Sequence, residues 1–218
     1  LNAGIANALG GDNGDDVINI NGGELVLGAD AGDGIDTVNL AGGTLDNGLS
    51  ILMGDGNDIF NITGAFLGNG SSVQMGKGDD TTELFLGAPA DLTQFSFKGD
   101  DGTDTLKASN YTGTLGSVVD YENLDLQNSN VALSLGIYVF NGGAVTLNST
   151  STLNLGLSKT INTGAWTNDG QVIAQGDGTG VYNLFGDFVN NGLVTMASGA
   201  AGDSMSFGSL QSLAGIGS

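Results

Sequence analysis

The chain of 218 residues contains no cysteine, no histidine and no arginine, and it has a single proline. Without cysteine or histidine it cannot form a disulfide scaffold, a usual zinc or iron site, a Ser-His-Asp triad or a thiol nucleophile. Four lysines face 24 acidic residues, so the formal net charge is −20. This charge repels phosphate groups and anionic lipid surfaces, and we therefore expect no binding to nucleic acid.

Long apolar stretches are also missing. No run approaches the roughly 20 residues of a membrane span, so we expect no membrane insertion of this segment. Residues 1–10 lack the basic start and the apolar stretch of a signal peptide. We therefore expect the chain to be a segment of a longer protein.

Glycine is abundant, at 40 residues, and many of the glycines belong to an internal repeat. Five segments share the pattern Gly-x-Asp-x-apolar, with Thr82 in the apolar position of the fourth. Their aspartates are 20, 22, 22 and 24 residues apart, a series that chance does not produce. The segments are Gly14-Asp15-Asp16-Val17-Ile18, Gly34-Ile35-Asp36-Thr37-Val38, Gly56-Asn57-Asp58-Ile59-Phe60, Gly78-Asp79-Asp80-Thr81-Thr82 and Gly102-Thr103-Asp104-Thr105-Leu106.

Apolar residues alternate with polar ones after each of these aspartates. Phe60 and Ile62 flank Asn61, for example, and this period of two predicts a short strand with one buried face. Two further short strands follow in each repeat, so we predict about three strands per repeat. Their apolar positions are Leu25, Leu45 and Leu67 in the second strand, and Ile51/Met53, Val73/Met75 and Phe95/Phe97 in the third. The polar residues Asn19, Asn39 and Asn61 predict an exterior stack.

A unit of about 22 residues cannot bury its own inner face, but stacked units can. No window has helical periodicity, and glycine interrupts every stretch. The sequence therefore predicts an all-β fold, a single-stranded parallel β-solenoid (β-helix) with about 22 residues per rung.

The repeat divides the chain into two parts of different chemistry. Residues 1–126 carry a net charge of −17 and all the Gly-x-Asp corners, whereas residues 127–218 carry only −3. Residues 164–173 align with residues 186–195 at an offset of 22. We predict an acidic β-solenoid over residues 1–126 and its continuation, with plain Asn-Gly turns, over residues 127–218.

The corners resemble the calcium-binding nonapeptide of repeats-in-toxin (RTX) proteins, most closely at residues 11–19 and 99–107. The sequence departs from that family because only one such corner occurs per 22 residues, whereas RTX nonapeptides follow one another directly. Residues 121–126, the turn at 188–192 and the stretch at 202–205 are similar to passenger domains of bacterial autotransporters. This resemblance implies a right-handed β-helix at a Gram-negative outer surface.

Stacked corners would bring like charges together. Two carboxylates at about 4.8 Å repel by roughly 3.5 kcal/mol at an effective dielectric constant of 20, so something must offset the repulsion. Calcium, which accepts six to eight oxygen ligands, suits such corners better than magnesium. The alternative is ordinary glycine-aspartate turns whose carboxylates face water. The candidate calcium ligands are the ladder Asp16, Asp36, Asp58, Asp80 and Asp104, with Asp12, Asp33, Asp55 and Asp101 in the same corners.

Three classes of function fit a β-solenoid. An enzyme acting on glycans is disfavoured because the acidic pairs recur in every corner, whereas a catalytic pair is normally single. Ice binding is disfavoured because the row of Thr37, Thr81 and Thr105 is interrupted. We expect a structural segment of an extracellular bacterial surface protein, an adhesin or spacer stalk stabilised by calcium, whose partner is a host-cell or matrix surface. The alternative is a subunit of a surface layer or extracellular filament, in which like copies meet end to end.

Overall fold

The fold was analysed in a computed structural model, which describes residues 1–85, 87–88, 91–176, 179–197 and 202–213. All regular structure in these residues is β-strand. The described residues therefore contain no helix that could span a membrane.

Twenty-two strands follow one another along the chain. The first half contains β1 (Ile5–Ala6), β2 (Leu9–Gly10), β3 (Val17–Leu25), β4 (Ala29–Asp30), β5 (Thr37–Leu45), β6 (Ser50–Asp55), β7 (Ile59–Ile62), β8 (Phe66–Leu67), β9 (Ser72–Lys77), β10 (Thr81–Phe85) and β11 (Asp91–Asp101). The second half contains β12 (Thr105–Ser109), β13 (Thr112–Val119), β14 (Asn123–Gln127), β15 (Asn130–Leu133), β16 (Ile137–Leu147), β17 (Thr152–Gly156), β18 (Lys159–Asn168), β19 (Gln171–Gln175), β20 (Val181–Asn190), β21 (Leu193–Ala197) and β22 (Ser204–Leu213).

The strands form two parallel sheets that rise together. The larger sheet contains 12 strands in the order β1-β3-β5-β7-β10-β12-β14-β16-β18-β20-β22, with β8 beside β5. The smaller sheet contains ten strands, in the order β2-β4-β6-β9-β11-β13-β15-β17-β19-β21. Because the chain alternates between the sheets and pairs with itself about 22 residues later, it forms a β-solenoid of about nine turns. The predicted fold class is confirmed.

The division of each rung into three strands is wrong for the first, second and fifth rungs. In the first two rungs the first and second predicted strands are one continuous strand, β3 in the first rung and β5 in the second. The fifth rung contains only β12 and β13. Pairing continues past Gly22 and Gly23 with a shift in register, because these glycines bend the strand without ending it. In the third rung the two strands are separate, as β7 and β8.

The interior is a stack of apolar side chains from alternate strand positions. Phe60 and Ile62 are fully buried, and Leu25, Leu45 and Leu67 stack in the predicted register. Trp166 is fully buried against Phe188, with ring centroids 5.4 Å apart. Burial of this apolar surface is the main term that stabilises each rung on the next.

The exterior carries the predicted asparagine stack. The Asn39 side chain donates to Asn19 Oδ1, and Asn61 donates to Asn39 Oδ1, both at 2.9 Å. The same row continues in register with Glu83 and Lys107, which form an ion pair at 3.0 Å. Polar rows on this face are thus satisfied between rungs.

One predicted alignment is wrong and matters for the corner. Phe97, not Phe95, pairs with Val73, because the fourth rung is two residues longer than the third, so β11 pairs with β9 at an offset of 24. Lys98 pairs with Gln74 and Asp100 with Gly76. Gly99 therefore lies opposite Met75.

Candidate functional site

The Gly-x-Asp segments stack as one continuous corner, where each strand of the smaller sheet leads into a strand of the larger sheet. Gly56 shows why glycine is required at this corner: its φ is 156°, and a Cβ there would lie 1.6 Å from the carbonyl oxygen of Gly34. No side chain fits between rungs this close. The glycines therefore bring successive corner backbones, and the aspartates that follow them, into register.

Five of the predicted ligands form a single inner row: Asp16, Asp36, Asp58, Asp80 and Asp104. In each pair the Oδ1 atom of the later aspartate accepts the backbone N–H of the earlier one. The four distances are 2.7, 2.8, 2.6 and 2.9 Å in chain order. Asp16 is partly exposed, but the other four are at most 1% exposed, so the carboxylates face the interior and not water.

Glu122 ends this inner row, and the sequence analysis did not identify it. Its Oε2 atom accepts the backbone N–H of Asp104 at 2.7 Å, in the role that an aspartate has in the other rungs. The rung from Asp104 to Glu122 has only 18 residues and no Gly-x-Asp pattern, which is why the repeat did not reveal it. The signal present was the apolar alternation of Leu124 and Leu126 after it.

The second carboxylate oxygen of the inner row has no partner in four rungs. The Oδ2 atoms of Asp36, Asp58, Asp80 and Asp104 are buried without a hydrogen bond. A buried carboxylate in this state costs free energy unless it binds a proton or a cation. Asp16 differs, because its Oδ2 accepts the backbone N–H of Asp12 at 3.1 Å.

Burial and neighbouring charges raise the pKa of three inner-row carboxyls. Loss of hydration is the largest cause, and it raises the pKa of Asp80 and of Asp104 to about 7. The backbone hydrogen bond to each carboxylate opposes this, whereas repulsion within the row adds to it. The pKa of Asp58 is raised for the same reasons, with Asp36 as the repelling neighbour.

The remaining predicted ligands lie outside the inner row and are exposed. Asp33, Asp55 and Asp101 belong to an outer row that also contains Lys77. Lys77 Nζ lies 2.7 Å from Asp55 Oδ2, so one cation of the chain already neutralises this row in part. Asp12 stands in a different row, below Gly32. These four aspartates therefore do not converge with the inner row on a single site.

A shallow groove of about 630 Å³ lies beside the outer row. Asp100, Asp101 and Asp120 line it, together with Asp55 and Lys77. Asp100 and Asp120 have positive φ values of 69° and 56°, so two aspartates adopt left-handed backbone, one at the corner of Asp104 and one at the corner of Glu122. The groove is open and acidic.

The residues five positions before the inner aspartates form a further row along the corner. These residues are also in register, since Gly11 stands below Ala31, which is followed by Met53, Met75 and Gly99. Ala31, Met53 and Met75 are fully buried, and their side chains occupy this position in three rungs. Gly11 and Gly99 hold no side chain at this position. A Cβ at Gly11 would lie 2.5 Å from Asp16 Oδ2 and 2.2 Å from the carbonyl oxygen of Ala31, and a Cβ at Gly99 would lie 2.5 Å from Asp104 Oδ2 and 2.0 Å from the carbonyl oxygen of Asp120.

A calcium ion would use the unpartnered carboxylate oxygens of this corner. Among the residues that the structure describes, no three acidic side chains converge closely enough to hold a metal ion by themselves. Main-chain carbonyl oxygens and water would have to complete the ligand set, as is common for calcium. The donor chemistry, which is carboxylate and carbonyl oxygen with no nitrogen or sulfur ligand, suits calcium.

Buried polar groups beside the inner row are paired. Thr82, which takes the apolar position of the fourth repeat, lies 2.6 Å from the Tyr121 hydroxyl. Burial, with repulsion from Asp104 and Asp80, raises the pKa of Tyr121 well above its usual value. Tyr121 is thus a buried neighbour of the inner row and remains a neutral phenol.

Comparison of the chain with family models, with curated proteins and with solved structures finds no match. The resemblance to RTX repeats and to autotransporter passengers thus rests on the quoted motifs alone.

Proposed function

We propose that this chain is a structural segment of an extracellular bacterial surface protein, a rigid spacer or adhesin stalk stabilised by calcium at its acidic corner. The observation that carries this proposal is the inner row of buried carboxylates, four of which have an unpartnered oxygen. The hydrogen bonds of this row hold the rungs in register, and its buried carboxylates are negative charges that a cation would neutralise.

The shape of the molecule supports a structural role. Successive rungs about 4.8 Å apart make about nine turns into a rod of roughly 45 Å. Each functional group recurs as a row along this rod: the asparagines, the inner carboxylates and the outer acidic residues. Rows distribute one chemistry along the length of the molecule, whereas a catalytic site gathers several chemistries at one point.

A structural role for calcium also fits the proposed extracellular location. Weak calcium sites, with dissociation constants of about 10⁻⁴ to 10⁻³ M, are typical of extracellular modules. An ion that binds only the folded state adds about 2.7 kcal/mol of stability at a hundredfold excess over its dissociation constant. The chain has no disulfide that could contribute such stability, since it contains no cysteine.

The experiment is a thermal melt of the purified chain with calcium, with magnesium and with a chelator, combined with sedimentation in each condition. A stable monomer whose melting temperature rises with calcium and less with magnesium supports the proposal. Equal melting temperatures in all three conditions would contradict calcium stabilisation. Long polymers in calcium would favour the alternative of a filament or surface-layer subunit, and glycan cleavage that one carboxylate substitution abolishes would favour an enzyme.

A further inference from the structure

The fifth corner, around Asp104, combines three features that no corner below it combines. Asp104 Oδ2 is buried and unpartnered, as in the three preceding rungs, whereas Asp16 Oδ2 in the first rung accepts the backbone N–H of Asp12. The adjoining position is Gly99, which has no side chain; of the rungs below, only the first has a glycine there, and Ala31, Met53 and Met75 fill the position in the other three. The carboxylate above is Glu122, which is partly exposed, and not a buried aspartate.

Two oxygens at this corner lie within reach of one cation. The Cβ position of Gly99 is 2.0 Å from the Asp120 carbonyl oxygen and 2.5 Å from Asp104 Oδ2, so at most 4.5 Å separate these oxygens. A calcium ion at about 2.4 Å from each ligand spans up to about 4.8 Å between them. A small shift of the unbonded carboxylate oxygen would place both in contact with one ion.

The inner row has no further carboxylate above Glu122. Gly143 follows Glu122 in register, and a Cβ there would lie 2.0 Å from the Glu122 carbonyl oxygen. Because this next rung adds no carboxylate, the end of the row faces less negative charge and has access to water through Glu122. An ion can therefore enter and keep water ligands at this end.

We infer that Asp104 and the Asp120 carbonyl, with Glu122 beside them, form a single calcium site that ends the inner row. Asp36, Asp58 and Asp80 hold their rungs by hydrogen bonds and bind no ion. This inference rests on the proposed calcium stabilisation and assigns it to one corner.

The test is calcium binding to the full chain after chelator treatment, measured by calorimetry, with terbium(III) luminescence as a local readout. Terbium replaces calcium on oxygen ligands and emits when a nearby tyrosine is excited, and Tyr121 is the buried tyrosine beside Glu122. We expect one ion per chain and strong emission that Tyr121→Phe removes while calcium still binds. Emission that persists in Tyr121→Phe would overturn the location.

Two substitutions keep the hydrogen bonds of the row and remove one charge each. Asp104→Asn can still accept the backbone N–H of Asp80, and Glu122→Gln can still accept that of Asp104. Each should weaken calcium binding by about tenfold or more, since ligand charge sets calcium affinity. The matched control is Asp58→Asn, which makes the same change in the middle of the row and should leave the affinity nearly unchanged.

The outcomes separate this inference from the proposed function. Four or more ions per chain, with Asp58→Asn as harmful as Asp104→Asn, would leave calcium stabilisation intact and overturn the single site. No binding at millimolar calcium would overturn both. Gly99→Ala, which places a methyl group where the two oxygens approach, should abolish binding; unchanged affinity in a folded Gly99→Ala chain would also overturn the site.

Discussion

At the scale of single residues, the inner aspartates have two carboxylate oxygens with opposite effects on stability. Oδ1 is paired with a backbone N–H of the rung below and fixes the register, as in Asp80 on Asp58. Oδ2 is buried without a partner and carries charge into the interior. Stability therefore depends on what neutralises Oδ2.

Asparagine in place of Asp58 should stabilise the chain in chelator at neutral pH. Its side-chain oxygen can still accept the Asp36 N–H, and the charge that repels Asp36 and Asp80 is gone. Urea unfolding should give a higher free energy of unfolding for Asp58→Asn than for the parent chain. Asp55→Asn, an exposed neighbour paired with Lys77, should show no such gain; an equal gain there would mean that net charge, not burial, is responsible.

Stability in chelator should also fall as the pH rises from about 4 to about 7. The unfolded carboxyls of Asp80 and Asp104 ionise near 3.8, whereas the pKa of each in the folded chain is about 7. The folded state thus holds more protons in this window, and the free energy of unfolding decreases as the pH rises. Each carboxyl accounts for about 1.4 kcal/mol for every unit by which its pKa in the folded chain exceeds its pKa in the unfolded chain. Denaturant melts at pH 5 and pH 7.5 test this, and higher stability at pH 7.5 would contradict it.

At the scale of strands, the alternation of burial is strict enough to test residue by residue. Phe60 in β7 is fully buried, while its neighbour Ile59 is 40% exposed. Phe60→Asp should cost several kcal/mol or prevent folding, because it places an unpaired charge in the interior. Ile59→Asp, the matched control in the same strand, should cost far less. Equal losses for the two variants in a chemical melt would show that the register of β7 is wrong.

The strands and the inner row were predictable because their pattern is local. Phe60, Ile62 and the Gly-x-Asp segments recur at nearly constant spacing, so the sequence alone predicts which faces stack. Glu122 was not predictable, since its place depends on a rung of 18 residues that brings it over Asp104. The position of Gly99 in the row was not predictable for a similar reason, because two extra residues in the fourth rung place Gly99 opposite Met75.

At the scale of the whole molecule, the two parts of the solenoid should respond differently to calcium. The inner carboxylates lie between residues 16 and 122, and the row above Glu122 continues in register with Gly143 and Gly164, which carry no charge. Hydrogen exchange with and without chelator should show loss of protection in β9 to β14 and unchanged protection in β18 and β20. Equal protection in both conditions along the chain would mean that the corners are plain turns.

The backbone hydrogen bonds of the inner row all have one direction, and this sets an order of assembly. Each carboxylate reaches back to an amide of the preceding rung, so a chain that folds from its amino end always adds an acceptor to a donor already in place. Removing rungs from the carboxyl end exposes a backbone N–H group of the last remaining rung, which forms a hydrogen bond to water readily. Removing rungs from the amino end instead deprives buried carboxylates of their donors. Shortened chains that keep the first rungs should therefore fold far better than those that keep the last.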